Sequence, residues 1–187
     1  TKLVGAFERG AEEGRLIAWM RNDDEQNAIK ETGIDASLPD PDDPSADPVA
    51  GVYFNNLSFS KLDWYLNADT QIGQGVKNGD GTCSYRITVT LTNIMTQEEA
   101  GKLPDYVAAG ASDAARDDER LNVSVFAPTG GNISDLTVEG TQFGLGAATW
   151  HGIPFYSGTV DLHAGETTTI TYTLTTSAEA GDKPLTL

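Results

Sequence analysis

A period-two alternation of apolar and polar side chains is the feature that most constrains the fold of this chain. The clearest stretch is residues 85–91, YRITVTL, and the pattern recurs at 121–125 and 170–174. Such a period puts one set of side chains on a core face and the other in solvent, as in antiparallel sheets. Glycine-containing turn sequences separate these stretches, at 78–81, 128–131, 139–140 and 164–165. Short strands at this spacing predict two packed antiparallel sheets, an immunoglobulin-like β-sandwich, over residues 49–187.

Residues 1–33 follow a helical period instead. Leu3, Phe7 and Ala11 recur at i, i+4, which predicts a first helix. Asn22 with Glu25 three positions later predicts the start of a second helix, which Gly33 ends. The chain is therefore predicted to be α+β and mostly β, with a short helical entry segment before the sandwich.

Residues 34–48 separate the two patterns. They contain four prolines and five aspartates. Proline is excluded from helix and sheet interiors, and the aspartates keep the segment in water. We therefore predict an acidic, proline-rich linker over 34–48, between a helical entry at 1–33 and a sandwich domain at 49–187.

Candidate ligand-binding residues come from two clusters. Residues 61–66, KLDWYL, alternate like a strand, which would put Lys61, Asp63 and Tyr65 on one face near Asn55. Glu8 and Arg9 form a charged pair on the first predicted helix. Carboxylate and amide groups beside an aromatic ring suit the hydroxyls and the apolar face of a sugar. The alternative interpretation, a cross-strand ion pair and an ordinary helix surface, stays open.

Composition argues against several other functions. The formal charge is −16, from 28 acidic and 12 basic residues, and such a surface repels phosphate backbones and anionic lipids. We therefore expect no nucleic-acid partner and no membrane contact by this part of the protein.

His151 and His163 lack partners at metal-ligand spacing, and the single cysteine, Cys83, is expected to be a small buried hydrophobe. We predict no metal, no cofactor and no catalytic residues, because no nucleophile elbow or phosphate-binding loop occurs.

An ordered set of short segments resembles a known family. The segments are AFERG at 6–10, EGRL at 13–16, GVYFN at 51–55, SKLDWYL at 60–66, TVTLTN at 88–93, LPDYV at 103–107 and AGET at 164–167. Together they are similar to the C-terminal part of a family of uncharacterised Gram-positive cell-envelope proteins, a domain of unknown function. The resemblance implies an extracellular location, a parent protein anchored by an N-terminal transmembrane helix outside this chain, and involvement with envelope polysaccharide. It implies no catalytic residues.

Two functional hypotheses follow. The first is a non-catalytic extracellular envelope domain that binds or spaces, with cell-envelope carbohydrate or protein as its partner. The alternative is the accessory half of an envelope-polysaccharide enzyme whose catalytic part lies upstream and to which the helix with Glu8 and Arg9 belongs.

Overall fold

The computed structural model describes residues 2–12, 15–35, 39–58, 60–108, 116–139, 141–142 and 146–187. The chain divides into two compact units, Thr1–Pro39 and Asp40–Leu187, which we describe separately. In the described ranges, no helix is both long enough and apolar enough to cross a membrane.

The first unit contains two helices, α1 at Lys2–Glu12 and α2 at Asp23–Lys30. The predicted helix start at Asn22 is confirmed, because its side-chain oxygen accepts hydrogen bonds from the backbone N–H groups of Asp24 (3.0 Å) and Glu25 (3.2 Å). Gly33 follows α2 with a φ of 73°, a left-handed conformation that glycine adopts without strain.

The second unit is built of strands. Its strands are β1 Gly51–Asn56, β2 Leu66–Ile72, β3 Val76–Lys77, β4 Cys83–Asn93, β5 Glu119–Phe126, β6 Asn132–Val138, β7 Thr141–Gln142, β8 Gly146–Trp150, β9 Ile153–Leu162 and β10 Thr167–Thr175. Its helical segments are a 3₁₀ helix at Leu62–Tyr65, α3 at Gln97–Lys102 and α4 at Asp105–Ala108. Thr96 and Glu99 cap the start of α3 reciprocally.

The strands form two antiparallel sheets. One is four-stranded in the order β1-β5-β9-β8, and the other has the order β2-β4-β10-β6-β7 with β3 beside β4. The paired strands of both sheets run antiparallel. The prediction of a mostly β fold with two antiparallel sheets is therefore confirmed.

One core is shared by both sheets. The alternating residues that predicted the strands are the ones that fill it: Ile87, Val89 and Leu91 of β4, Leu121, Val123 and Val125 of β5, and Ile170, Tyr172 and Leu174 of β10. Burying each such side chain contributes about 1.5–3 kcal/mol relative to leaving it exposed. Cys83 is also buried, as predicted.

Tyr172 brings a polar atom into this core. Its hydroxyl is buried and has no hydrogen-bond partner among the described residues. An unmade hydrogen bond of this kind costs roughly 1–3 kcal/mol. We expect Tyr172→Phe to raise the free energy of unfolding by about 1 kcal/mol in urea titrations. Tyr106→Phe, at an exposed ring, should leave the free energy of unfolding unchanged. A Tyr172→Phe protein that is less stable than wild type would show that the Tyr172 hydroxyl does form a hydrogen bond.

The predicted strand at 61–66 is wrong. Leu62–Tyr65 is a 3₁₀ helix, and β2 begins only at Leu66. A 3₁₀ helix has three residues per turn, so residues i and i+3 share a side. Leu62 and Tyr65 accordingly contact a second apolar cluster with Met95 and Ala100. Lys61, Asp63 and Tyr65 therefore do not share one face.

The larger part of the segment predicted as a linker, residues 40–48, packs on the sandwich. The Ser177 hydroxyl donates to the Pro44 carbonyl (2.6 Å), and Thr129 donates to the Asp40 carbonyl (2.9 Å). Val49 forms a parallel bridge with Thr186. Residues 40–48 thus belong to the second compact unit.

Candidate functional site

The outward surface of the four-stranded sheet gathers side chains from three strands. In β5 the residues at 121, 123 and 125 enter the core, so the residues between them face outward. The strand register places Tyr53 beside Ser124, Asn55 beside Asn122, and Ser157 beside Ser124. We call this surface the outer face, and its residues are Tyr53, Asn55, Arg120, Asn122, Ser124, Phe126, Phe155, Ser157, Thr159 and Asp161.

Three rings form an aromatic row across the outer face. Phe126 stacks on Phe155 with ring centroids 4.6 Å apart, and Tyr53 meets Phe126 edge to face at 5.5 Å. A Cβ atom added at Gly51 would lie 2.5 Å from Cε2 of Tyr53, so the tyrosine ring lies over the bare glycine backbone. Tyr53 remains 50% exposed. The aromatic row therefore ends in a ring that lies against its own strand and is open to solvent.

Amide and hydroxyl groups lie beside the aromatic row. Ser157 donates to the Asn122 side-chain oxygen (2.8 Å), and the hydroxyls of Ser124 and Ser157 are 2.9 Å apart. We call Asn122, Ser124 and Ser157 the amide–hydroxyl cluster. Asn55 is exposed opposite Asn122, and within the described chain its amide group makes no side-chain hydrogen bond. Ser124 is itself buried, and Asn122 and Ser157 are half-buried. The outer face thus offers both hydrogen-bonded and unengaged neutral polar groups beside the exposed ring of Tyr53.

An ion pair closes one end of the outer face. Arg120 donates from Nε to Oδ1 of Asp161 (2.6 Å) and from Nη2 to Oδ2 (3.2 Å), which is a bidentate geometry. The hydrogen bond that Arg120 donates to Asp161, and next the negative charge of that carboxylate, raise the pKa of Arg120. The positive charge of Arg120 is therefore neutralised by Asp161.

The predicted site residues within the second unit do not form one cluster. Asn55 belongs to the outer face, whereas Asp63 accepts a hydrogen bond (3.1 Å) from Asn56, the neighbouring residue on the opposite side of β1. Lys61 is exposed, and Tyr65 packs partly into the second apolar cluster. Of the predicted helix pair, Arg9 is exposed on α1 in the first unit, and the side chain of Glu8 lies outside the described part of the structure.

The sequence analysis did not single out Glu119. This residue is 0% exposed, and neither carboxylate oxygen has a hydrogen-bond partner in the described part of the chain. Burial, and next the negative charge of Asp63, raise the pKa of Glu119 to about 8. Glu119 lies two residues before Leu121, so extending the period-two alternation of β5 by one more inward position would have placed this acid on the core face. Glu119 is therefore a buried carboxyl group that is mostly protonated at neutral pH.

The histidines do not contribute a metal centre within the described residues. Nδ1 of His163 lies 3.8 Å from Oδ2 of Asp117, and the ring of His151 packs edge to face on Trp150 at 4.3 Å. Among the residues described, no three histidine, cysteine or acidic side chains are grouped so that they could hold one ion.

Comparison with known proteins gives no independent assignment. No protein-family model matches the chain, and no curated protein and no solved structure matches it significantly. The geometry of the outer face therefore carries the functional argument.

Proposed function

We propose that this chain is a non-catalytic extracellular domain of the cell envelope that binds an extended envelope polysaccharide on the outer face. The observation that carries the proposal is the aromatic row, which ends in the exposed ring of Tyr53, directly beside the amide–hydroxyl cluster on one face of the sheet.

Sugar chemistry explains why this combination suits a glycan. A pyranose ring has an apolar face of C–H groups and an edge of hydroxyls that both donate and accept hydrogen bonds. An exposed aromatic ring covers the first, and amide and hydroxyl side chains pair with the second. On the outer face Tyr53 can supply the apolar contact, and Asn55 and Asn122 can supply the polar one.

The shape of the surface favours a polymer over a single sugar. The aromatic row crosses β1, β5 and β9, which are neighbouring strands of one sheet, so a ligand that follows the row lies across three strands. Such a surface contacts several sugar units weakly, and their contributions combine because the units are linked.

The finer fold and location belong to the same proposal. Two antiparallel sheets around one core support an immunoglobulin-like sandwich. The resemblance of the short segments to envelope proteins supports an extracellular location and an anchored parent protein.

Binding can be tested with cell walls isolated from a Gram-positive bacterium. We expect wild-type protein to co-sediment with the walls and Tyr53→Ala to lose most of this retention, because it removes the exposed ring. Trp64→Ala is the matched control, since Trp64 is 86% exposed but belongs to the 3₁₀ helix. Gly51→Ala should also weaken retention, because its new methyl group must displace the Tyr53 ring.

Two results would contradict the proposal. One is a wild-type protein that the walls do not retain. The other is equal retention of the Tyr53→Ala and wild-type proteins, with unchanged circular dichroism for both. If Trp64→Ala alone loses binding, the 3₁₀ helix and not the outer face contacts the glycan.

One observation favours the alternative function, the accessory half of an envelope-polysaccharide enzyme. The unit Thr1–Pro39 exposes large apolar side chains at Phe7, Ile17, Trp19 and Met20. Exposed apolar side chains mark an interaction surface where they form one contiguous patch, and the alternative function requires that these four do so. If the parent protein cleaves or joins wall polysaccharide, Trp19→Ala should lower that rate and leave retention by the isolated chain intact.

A further inference from the structure

The four strands of the outer-face sheet contain a single basic residue. The sequences of β1, β5, β8 and β9 include Arg120 and no other lysine or arginine. Both hydrogen bonds found for the Arg120 side chain go to the carboxylate of Asp161. The outer face therefore presents no free positive charge to a ligand from these strands.

An anionic polymer would lose interactions on this surface. A phosphate or carboxylate group that leaves water needs a cation or several N–H donors, and without them its desolvation is unfavourable. The formal charge of −16 adds a long-range repulsion. An uncharged sugar meets neither obstacle, because it needs only an apolar contact and neutral hydrogen-bonding groups, and the outer face has both.

We propose that the outer face selects uncharged polysaccharide and rejects anionic envelope polymers, and that the Arg120–Asp161 pair sets this selectivity by keeping the guanidinium engaged. This inference rests on the proposed function. Asp161 thus acts through Arg120 as a specificity-determining residue.

The probe for this inference is one wall preparation in two forms, untreated and stripped of its anionic phosphate polymers with hydrofluoric acid. Wild-type protein should be retained by stripped walls at least as well as by untreated walls. Retention should hardly change between about 0.05 M and about 0.5 M salt, since this range screens charge attraction strongly. A several-fold fall of retention with salt, while stripped walls still retain the protein, would overturn the inference and leave glycan binding itself intact. Loss of retention on stripping would show that the protein binds the anionic polymers, and it would also overturn the inference. No retention by either form would remove the proposed function.

A substitution tests the role of the ion pair directly. Asp161→Asn should free Arg120 for an anion and increase retention on untreated walls by about tenfold, in a salt-sensitive manner. Asp182→Asn is the matched control, because it removes the same charge and frees Lys77, which lies on β3 in the other sheet. Equal effects of the two substitutions would show that overall charge decides, and an Asp161→Asn protein with wild-type selectivity would overturn the role of the pair.

Discussion

Replacing Glu119 with glutamine should remove much of the loss of stability that the wild-type protein shows as the pH rises from 5 to 9. The pKa of Glu119 is raised from 4.5 to about 8 by burial and then by Asp63. The folded state therefore keeps a proton that the unfolded state releases above about pH 4.5. The stabilisation is complete below that pH and is lost as the pH rises through the folded-state pKa.

The size of this effect makes it measurable. Each unit of pKa difference corresponds to about 1.4 kcal/mol, and after allowing for local relaxation we expect a difference on the order of 2 kcal/mol across this range. Urea titrations of the wild-type and Glu119→Gln proteins at pH 5 and pH 9 measure this change in the free energy of unfolding. Asp63→Asn should reduce the pH dependence by less, because the charge of Asp63 is the smaller cause. Parallel pH profiles for wild type and Glu119→Gln would show that Glu119 does not keep its proton in the folded protein.

Adding one methyl group at Gly131 should destabilise the sandwich severely. A Cβ atom there would lie 2.4 Å from the backbone oxygen of Thr175 and 2.8 Å from Cγ of Pro128. Because the nearest atom is backbone at the end of β10, the strand itself must move. Overpacking of this kind costs about 1–3 kcal/mol or more, so we expect Gly131→Ala to lower the free energy of unfolding by about 3 kcal/mol.

A glycine in open space provides the control. Gly79 lies in the turn between β3 and β4. A Cβ atom added there would have no contact within 4 Å. Gly79→Ala should therefore leave the urea midpoint almost unchanged. If both substitutions have the same small effect, the close approach of Gly131 to Thr175 does not exist in solution.

The strands were predictable because their signal is local and long. In β4 the apolar alternation covers the four inward positions from Tyr85 to Leu91, and in β10 it covers the three from Ile170 to Leu174. The side chains at these positions enter or border the core. The stretch at 61–66 offers only three apolar positions, and a 3₁₀ turn explains them equally well. Burial of Leu62 against Met95, more than thirty positions later, decides between the two, and a local pattern contains no such information.

The outer face was less predictable for a related reason. Tyr53, Phe126 and Phe155 are far apart in sequence, and only the pairing of β1 with β5 and of β5 with β9 aligns them. A register shift of one residue would turn every one of these rings to the opposite side. Asn55 could be proposed as a binding residue from its neighbours, but its place on the outer face follows from the register alone. Glu119 escaped notice because an acid at the end of a polar stretch suggests a loop.

The bridge between Val49 and Thr186 has a mechanical consequence. The two segments run parallel, with hydrogen bonds from Ala50 to the carbonyl of Thr186 (2.9 Å) and from Thr186 to the carbonyl of Pro48 (3.0 Å). Because the segments are parallel, tension applied at residues 48 and 187 pulls them in opposite directions along their length. Both bonds are then loaded in shear and must break together instead of opening one after the other. Under load, the second unit should resist extension first at this bridge.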